Sequence, residues 1–91
     1  LEELFTVRLE GNHPNPFNPT TTVSYTVEEA QYVRISVWDL SGQMISILVD
    51  GTQSPGFFQV PFSAEDLPSG TYFVRMESAA GIQTHQMVLT K

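Results

Sequence analysis

Apolar and polar residues alternate with period two through almost the whole chain. The clearest run is Val23, Tyr25 and Val27, which alternate with Ser24 and Thr26. Such alternation places successive side chains on opposite faces of an extended strand, so that one face can be buried. The pattern therefore predicts seven half-buried strands. The other six inward sets are Phe5, Val7 and Leu9; Val33, Ile35 and Val37; Ile45, Ile47 and Val49; Phe58, Val60 and Phe62; Tyr72, Val74 and Met76; Met87 and Leu89.

Short polar segments separate these runs and carry the Gly, Pro, Asp and Ser residues of turns. They are Glu28-Glu29-Ala30, Asp39-Leu40-Ser41-Gly42, Asp50-Gly51, Ser54-Pro55-Gly56, Leu67-Pro68-Ser69-Gly70 and Ala79-Ala80-Gly81. Seven short strands at this spacing are typical of an antiparallel β-sandwich of immunoglobulin type, which is the all-β fold we predict. Pro61 predicts that its strand lies at a sheet edge or contains a bulge, because proline has no ladder donor.

Tyr72 follows a turn glycine, Gly70, at the start of the sixth predicted strand. This position matches the tyrosine corner of sandwich domains, in which the ring packs inward and the hydroxyl bonds to backbone a few residues upstream. We therefore predict a structural role for Tyr72 in the fold.

The run from residue 12 to residue 20, Asn-His-Pro-Asn-Pro-Phe-Asn-Pro-Thr, interrupts the alternation. Each proline fixes its own φ, disfavours helix in the residue before it and removes a donor, so no helix or central strand can pass through. We predict a stiff connector that carries the chain from one sheet to the other. Phe17 is the expected anchor at the end of the sandwich, held by the prolines at positions 14, 16 and 19.

Length and composition fit one small domain. The chain has 91 residues, of which 41% are hydrophobic and 15% charged. It begins at Leu1 rather than Met and shows no signal peptide, so we expect it to be a fragment excised from a longer protein. The absence of cysteine excludes disulfides and thiolate metal sites. No apolar run approaches the length of a membrane span, and we expect no membrane insertion.

The net charge of −6, with four scattered basic residues, argues against binding to nucleic acid or to an anionic membrane. The sequence also offers no catalytic constellation. His13 and His85 are far apart, and no serine lies in a Gly-x-Ser-x-Gly turn. The acidic residues at the turns lack the Asp-x-Asp-x-Asp spacing of a calcium loop. We therefore predict that the chain is not an enzyme and needs no cofactor.

Three aromatic residues, Trp38, Phe57 and Phe73, are predicted to point away from the main apolar face. Exposed rings on a sandwich can stack on sugars or meet a neighbouring domain, but they can also simply cover a corner of the fold. One hypothesis is therefore an accessory module of a secreted enzyme that binds carbohydrate or protein. Another is a structural spacer.

Four motifs occur in order along the chain and together are specific. They are Asn15-Pro16-Phe17-Asn18-Pro19-Thr20, Val37-Trp38-Asp39-Leu40-Ser41-Gly42, Leu67-Pro68-Ser69-Gly70-Thr71-Tyr72-Phe73 and Met87-Val88-Leu89-Thr90-Lys91. On these motifs the sequence resembles the C-terminal sorting domains of type IX secretion system cargo, type A class, from about residue 5 to Lys91. Those domains are similar to the immunoglobulin-like domain of the flagellar hook-capping protein.

The resemblance implies a non-enzymatic address label on secreted proteins of the Bacteroidetes and related phyla. It also implies that residues 1–91 are a single C-terminal immunoglobulin-like sorting domain, excised from a larger secreted protein. An upstream passenger would cross the periplasm, and the outer-membrane type IX machinery would read the label. A sortase-like protease would then remove it, leaving the passenger at the cell surface or released. Many relatives have a basic residue where this chain has Gln86. We expect this difference to weaken recognition or cleavage, or to reflect a host with other preferences.

The resemblance also assigns residues. The candidate sorting-signal residues are Gly70, Tyr72, Met87, Val88 and Lys91. The structural signature is Asn15, Pro16, Phe17, Asn18, Pro19 and Leu67.

Overall fold

The computed structural model describes residues 7–91, and these residues form an all-β sandwich, as predicted. The predicted inward position of Phe5 lies outside the described residues. The strands are β1 Val7–His13, β2 Thr20–Val27, β3 Gln31–Asp39, β4 Met44–Gln53, β5 Gly56–Ser63, β6 Gly70–Ser78 and β7 Gly81–Leu89.

The strands form two antiparallel sheets. One has three strands in the order β1-β2-β5, and the other has four in the order β4-β3-β6-β7. The inward sets predicted from alternation in β2, β3 and β6 are buried, because each sheet turns its apolar face to the other. The core consists of Val7, Phe17, Val23, Tyr25, Val27, Val33, Ile35, Val37, Phe62, Ala64, Tyr72, Val74, Met76, Met87 and Leu89.

The proline-rich connector does not cross between sheets, so that prediction was wrong. β1 and β2 are neighbours in the same sheet, with Val7 opposite Val27 and His13 opposite Thr22. The connector is thus the link between two adjacent antiparallel strands. Its inner contacts are fixed by the buried hydroxyl of Thr21, which donates to the carbonyl of Pro14 over 2.8 Å.

Two predictions for β4 were also wrong. Asp50 and Gly51 lie within the strand, opposite β3, and the chain turns only after Gln53. Ile47 is 42% exposed, whereas Leu48 packs against the core. The reason is a register shift: Ile35 faces Val49 but the next residue of β3 faces Ile47, which leaves Leu48 as an extra residue in a bulge. Period-two counting cannot detect such an insertion.

The edge strands pair up on the two sides of the sandwich. β1 and β7 are the outer strands of their sheets on one side, and they contact each other. β5 and β4 are the outer strands on the other side. Pro61 therefore lies in an edge strand, as predicted. Within residues 7–91 no helix has the length and apolar character required to cross a bilayer.

Candidate functional site

The proline-rich connector binds the last strand of the chain. The Phe17 amide donates to the carbonyl of Val88 over 2.9 Å, and the Thr90 amide donates to the carbonyl of Phe17 over 3.0 Å. These bonds form a short parallel bridge between Phe17 and Leu89. One residue of the three-stranded sheet's connector therefore acts as an extra strand on the outer edge of β7.

Asn15 extends this pairing with its side chain. Its Oδ1 accepts a hydrogen bond from the Val88 amide at 3.0 Å, and its Nδ2 donates to the Gln86 carbonyl at 3.1 Å. A carboxamide carries one acceptor and one donor group, so it replaces a missing peptide group of a neighbouring strand. The edge of β7 from Gln86 to Thr90 is thus already occupied, and a receptor would have to meet this strand through its side chains.

The Phe17 ring anchors the connector in the core. It is 1% exposed and lies edge-to-face with Phe62, the ring centroids being 6.2 Å apart. Leu67 packs against the same core, whereas Asn18 is exposed. The carbonyl of Pro19 accepts a bond from the Ala64 amide at 2.8 Å. The predicted inward position of Phe17 at this end of the sandwich is therefore confirmed.

A second contact closes the same side of the sandwich. The side chain of Gln83 in β7 accepts from the Leu9 amide and donates to the Val7 carbonyl, both at 2.8 Å. Beside it, the His85 ring packs over Gly11, where a Cβ would lie 3.2 Å from the ring. Gly11 has φ +116° and follows the bulge at Glu10, after which β1 pairs with β2 again as far as His13. The two sheets are joined here by side chains instead of by a shared strand.

Two of the candidate sorting-signal residues lie in the core. Met87 is fully buried and Tyr72 is 5% exposed, and they face each other across the β6–β7 pair. The Tyr72 hydroxyl donates to the carbonyl of Pro68 over 2.7 Å, which is the predicted tyrosine corner. In the folded domain the Met87 side chain is closed to a receptor, and the Tyr72 side chain is almost entirely so.

The other three candidates lie at the surface, at one end of the β6–β7 pair. Gly70 is exposed at the start of β6, with Leu89 opposite it, and half-buried Val88 faces outward on the neighbouring strand. Lys91 is exposed, and its amide donates to the Ser69 hydroxyl over 2.9 Å. A shallow depression of about 260 Å³ opens beside Ser69 and Gly70. The structure thus brings the surface candidates together.

The outer aromatic residues do not share one face. Phe57 is 62% exposed on the three-stranded sheet, whereas Trp38 and Phe73 are opposite each other on the four-stranded sheet. The Trp38 indole donates to the Ser36 hydroxyl at 2.8 Å, and the Arg75 guanidinium lies 5.4 Å from the Trp38 ring centroid. The Trp38 ring therefore already covers a buried serine and already carries a cation on its face.

The carboxylate of Asp39 in the β3–β4 turn has a shifted pKa. The Asp39 carboxylate accepts bonds from the amides of Gln43 and Ser41, both at 2.9 Å, and from the Ser41 hydroxyl at 2.7 Å. These bonds, the Gln43 amide first, hold the pKa of Asp39 below its ordinary value of 3.8. Asp39 is therefore a turn-forming carboxylate. No group of three or more His, Cys, Asp and Glu side chains within residues 7–91 could hold a metal ion.

Two features of this site were not visible in the sequence. The two bonds from Asn15 to β7 join residues 71 and 73 positions apart, and the two from Gln83 to β1 join residues 76 and 74 positions apart. In a sequence, an asparagine before proline indicates a turn, and a glutamine in an alternating strand indicates a solvent-exposed side chain. Only the closure of the sandwich brings each one to an open strand edge.

A comparison with known families agrees with this geometry. The sequence profile described as "Secretion system C-terminal sorting domain" matches residues 13–90, from the end of β1 to the residue after β7. No curated protein sequence matches the chain. Such a domain implies interaction with the type IX machinery and a secreted or cell-surface protein, and it suggests a non-catalytic role. The chain belongs to the family of secretion-system C-terminal sorting domains and is a sorting signal for type IX secretion.

Proposed function

We propose that residues 1–91 form one C-terminal domain that is read by the type IX machinery in its folded state. The observation that carries this proposal is the division among the candidate signal residues. Tyr72 and Met87 are core side chains, whereas Gly70, Val88 and Lys91 are grouped at the surface. The buried pair would keep β6 and β7 in register, and the surface group would contact the receptor.

The fold leaves room for a passenger. β1 begins at Val7, at the end of the sandwich where Val27 and Gly56 lie. Gly70 and Leu89 lie at the other end of a molecule whose longest dimension is 44 Å. A passenger joined upstream of β1 would therefore stand away from the proposed contact surface. In this proposal the passenger crosses the periplasm, and the domain directs it through the outer membrane.

A sortase-like protease would then act on the segment between the passenger and β1. Within residues 7–91 most backbone is paired in strands, and paired backbone is a poor protease substrate. The carbonyl of Gln86 is held by Asn15, but its side chain is exposed beside Val88. Having Gln86 where many relatives have a basic residue would thus alter contacts with the receptor and leave the fold unchanged.

The test compares two glutamate substitutions in the same strand. Val88→Glu changes the proposed contact surface, and Thr84→Glu adds the same charge to an exposed position of β7 at a distance from it. Each domain is fused to one inert passenger in a type IX-competent host, and passenger at the surface is measured. We expect Val88→Glu to reduce export and Thr84→Glu to leave it unchanged, with thermal melts confirming that both domains are folded.

Equal export by the two variants would refute recognition through the folded end of β7. A third fusion, with Met87→Ala, separates recognition from folding. We expect this variant to lose export in proportion to its loss of stability, because Met87 would act only through the fold.

A further inference from the structure

Within residues 7–91, the outer strand edges are covered by hydrogen bonds on one side of the sandwich and open on the other. On the β1–β7 side, Asn15, Phe17 and Gln83 provide hydrogen bonds to both strand edges. On the other side, no bond from elsewhere in residues 7–91 reaches the outer edge of β4 between residues 44 and 49. β4 has ten residues and no proline, whereas its neighbour on this side, β5, contains Pro61. This edge is open but is interrupted by register shifts at Leu48 and Ile45, so it is a template for a short strand.

A cavity of about 390 Å³ lies beside this edge, between β4 and β5. Ile45, Phe62 and Leu67 provide its apolar lining, and all three belong to the core or pack against it. The volume lies within the range of ligand-binding pockets and has room for a large side chain. Sheet edges bind peptides through main-chain bonds, while pockets next to the edge select alternate side chains.

The rim of the cavity is acidic. Glu65 and Asp66 line it, both are exposed, and neither forms an ion pair within residues 7–91. The nearest cation is Lys91, whose ammonium donates to the main-chain carbonyl of Glu65 and not to a carboxylate. A ligand with a positive charge close to an apolar side chain would complement this rim.

We propose that the outer edge of β4 binds an extended segment of another polypeptide. An apolar side chain of that segment would enter the cavity, and a Lys or Arg two positions away, on the same face of the added strand, would face Glu65 and Asp66. The site lies on the side of the sandwich opposite to β7. Of the proposed contact surface at Gly70, Val88 and Lys91, only Lys91 reaches this site, at the main-chain carbonyl of Glu65.

The test uses the 91-residue chain, labelled with ¹⁵N, and a synthetic peptide with blocked ends, Thr-Val-Thr-Lys-Thr-Val, in which Val and Lys lie on one face of the strand. Amide chemical shifts are followed during titration. We expect shifts concentrated in residues 44–49 and at Phe62 and Leu67, with a dissociation constant on the order of 1 mM, as fits a short single strand. A peptide with Glu in place of Lys should bind about tenfold more weakly or worse.

A pair of double variants tests the acidic rim. Glu65→Lys with Asp66→Lys should weaken binding of the Lys-containing peptide about tenfold or more. Glu28→Lys with Glu29→Lys makes the same charge change at the opposite end of the sandwich, and it should leave the affinity unchanged. Equal effects of the two double variants would reduce the result to net charge and overturn the proposal.

Two other outcomes would also overturn it. One is the absence of localised shifts at peptide concentrations well above the expected dissociation constant. The other is a set of shifts in residues 44–49 that follow protein concentration but not peptide, which would identify the edge as a contact between two copies of this chain. Because binding is measured on the purified chain, failure here would leave the export experiment unaffected.

Discussion

Replacing Phe17 with alanine tests whether the Asn-Pro-Phe connector is held by its ring. The ring is 1% exposed and lies against Phe62 at 6.2 Å between centroids. Alanine keeps the backbone groups that bond to β7, so the substitution removes the ring and leaves the main-chain bridge in place. The measured effect therefore reports on core packing at this end of the sandwich.

The expected cost is that of a large cavity in a core. Because the ring is almost completely buried, Phe17→Ala should lower the free energy of unfolding by roughly 3–5 kcal/mol. About 0.5–1.5 kcal/mol of that total comes from the edge-to-face contact with Phe62. A domain of 91 residues has a total stability of only about 5–14 kcal/mol. The variant should therefore be strongly destabilised.

Phe57→Ala is the matched control, because the same ring is removed from a side chain that is 62% exposed. We expect it to cost less than about 1 kcal/mol, including the lower strand preference of alanine. Both variants are unfolded in urea, and the free energies are compared at equal slope, so that a changed unfolded state is not mistaken for a changed core. If Phe17→Ala stays within about 1 kcal/mol of Phe57→Ala, the ring does not anchor the connector.

Three further predictions concern single polar groups. Asn15→Ala should cost roughly 1–3 kcal/mol of unfolding free energy and speed hydrogen exchange at the Val88 amide, because two bonds to β7 are lost. The control Asn18→Ala, in the same connector, should have neither effect. A Val88 amide that stays protected in Asn15→Ala would contradict the bond between Asn15 and β7. Tyr72→Phe should lower the melting temperature by an amount equivalent to about 1 kcal/mol, because it removes the bond from the Tyr72 hydroxyl to the Pro68 carbonyl. An unchanged melting temperature would show that this bond does not stabilise the turn. Asp39→Asn keeps an acceptor oxygen but cannot titrate. The wild type should lose stability as the pH falls from 3.8 through the lowered pKa of Asp39, and the variant should lose less. If the melting temperatures of the two proteins fall equally between neutral and acidic pH, this role of Asp39 is refuted.

Much of the fold could be predicted because the physics involved is local. Alternation identified all seven strands, and the turn before Tyr72 identified the tyrosine corner. Pro61 identified an edge strand because the absence of a backbone donor depends on nothing distant. These signals depend on the residue and its close neighbours in sequence.

The errors arose where pairing with a distant strand decides the outcome. The bulge at Leu48 turns Ile47 outward because β3 and β4 slip in register, and the slip depends on both strands. The connector around Phe17 was expected to cross between sheets, and instead it returns to the same sheet while bonding to β7 of the other. The stiffness of a proline-rich segment can be predicted from sequence, but its destination cannot.

The candidate site shows the same limit. The motifs around Asn15 and Met87 were recognised separately, as a structural signature and as part of the signal. The structure shows that the signature and the signal strand are in contact, through bonds between Asn15 and β7. Met87 is also a core residue, which alternation did predict, so its weight in a signal would be exerted through the fold.

The most direct test of the central claim is the export of an inert passenger in a type IX-competent host. One fusion carries residues 1–91, and the other ends after residue 69 and so lacks β6, β7 and the final residues. Passenger at the cell surface is measured at matched expression. A sorting signal that requires the folded domain predicts surface passenger only from the first fusion, and equal surface levels from the two would contradict it.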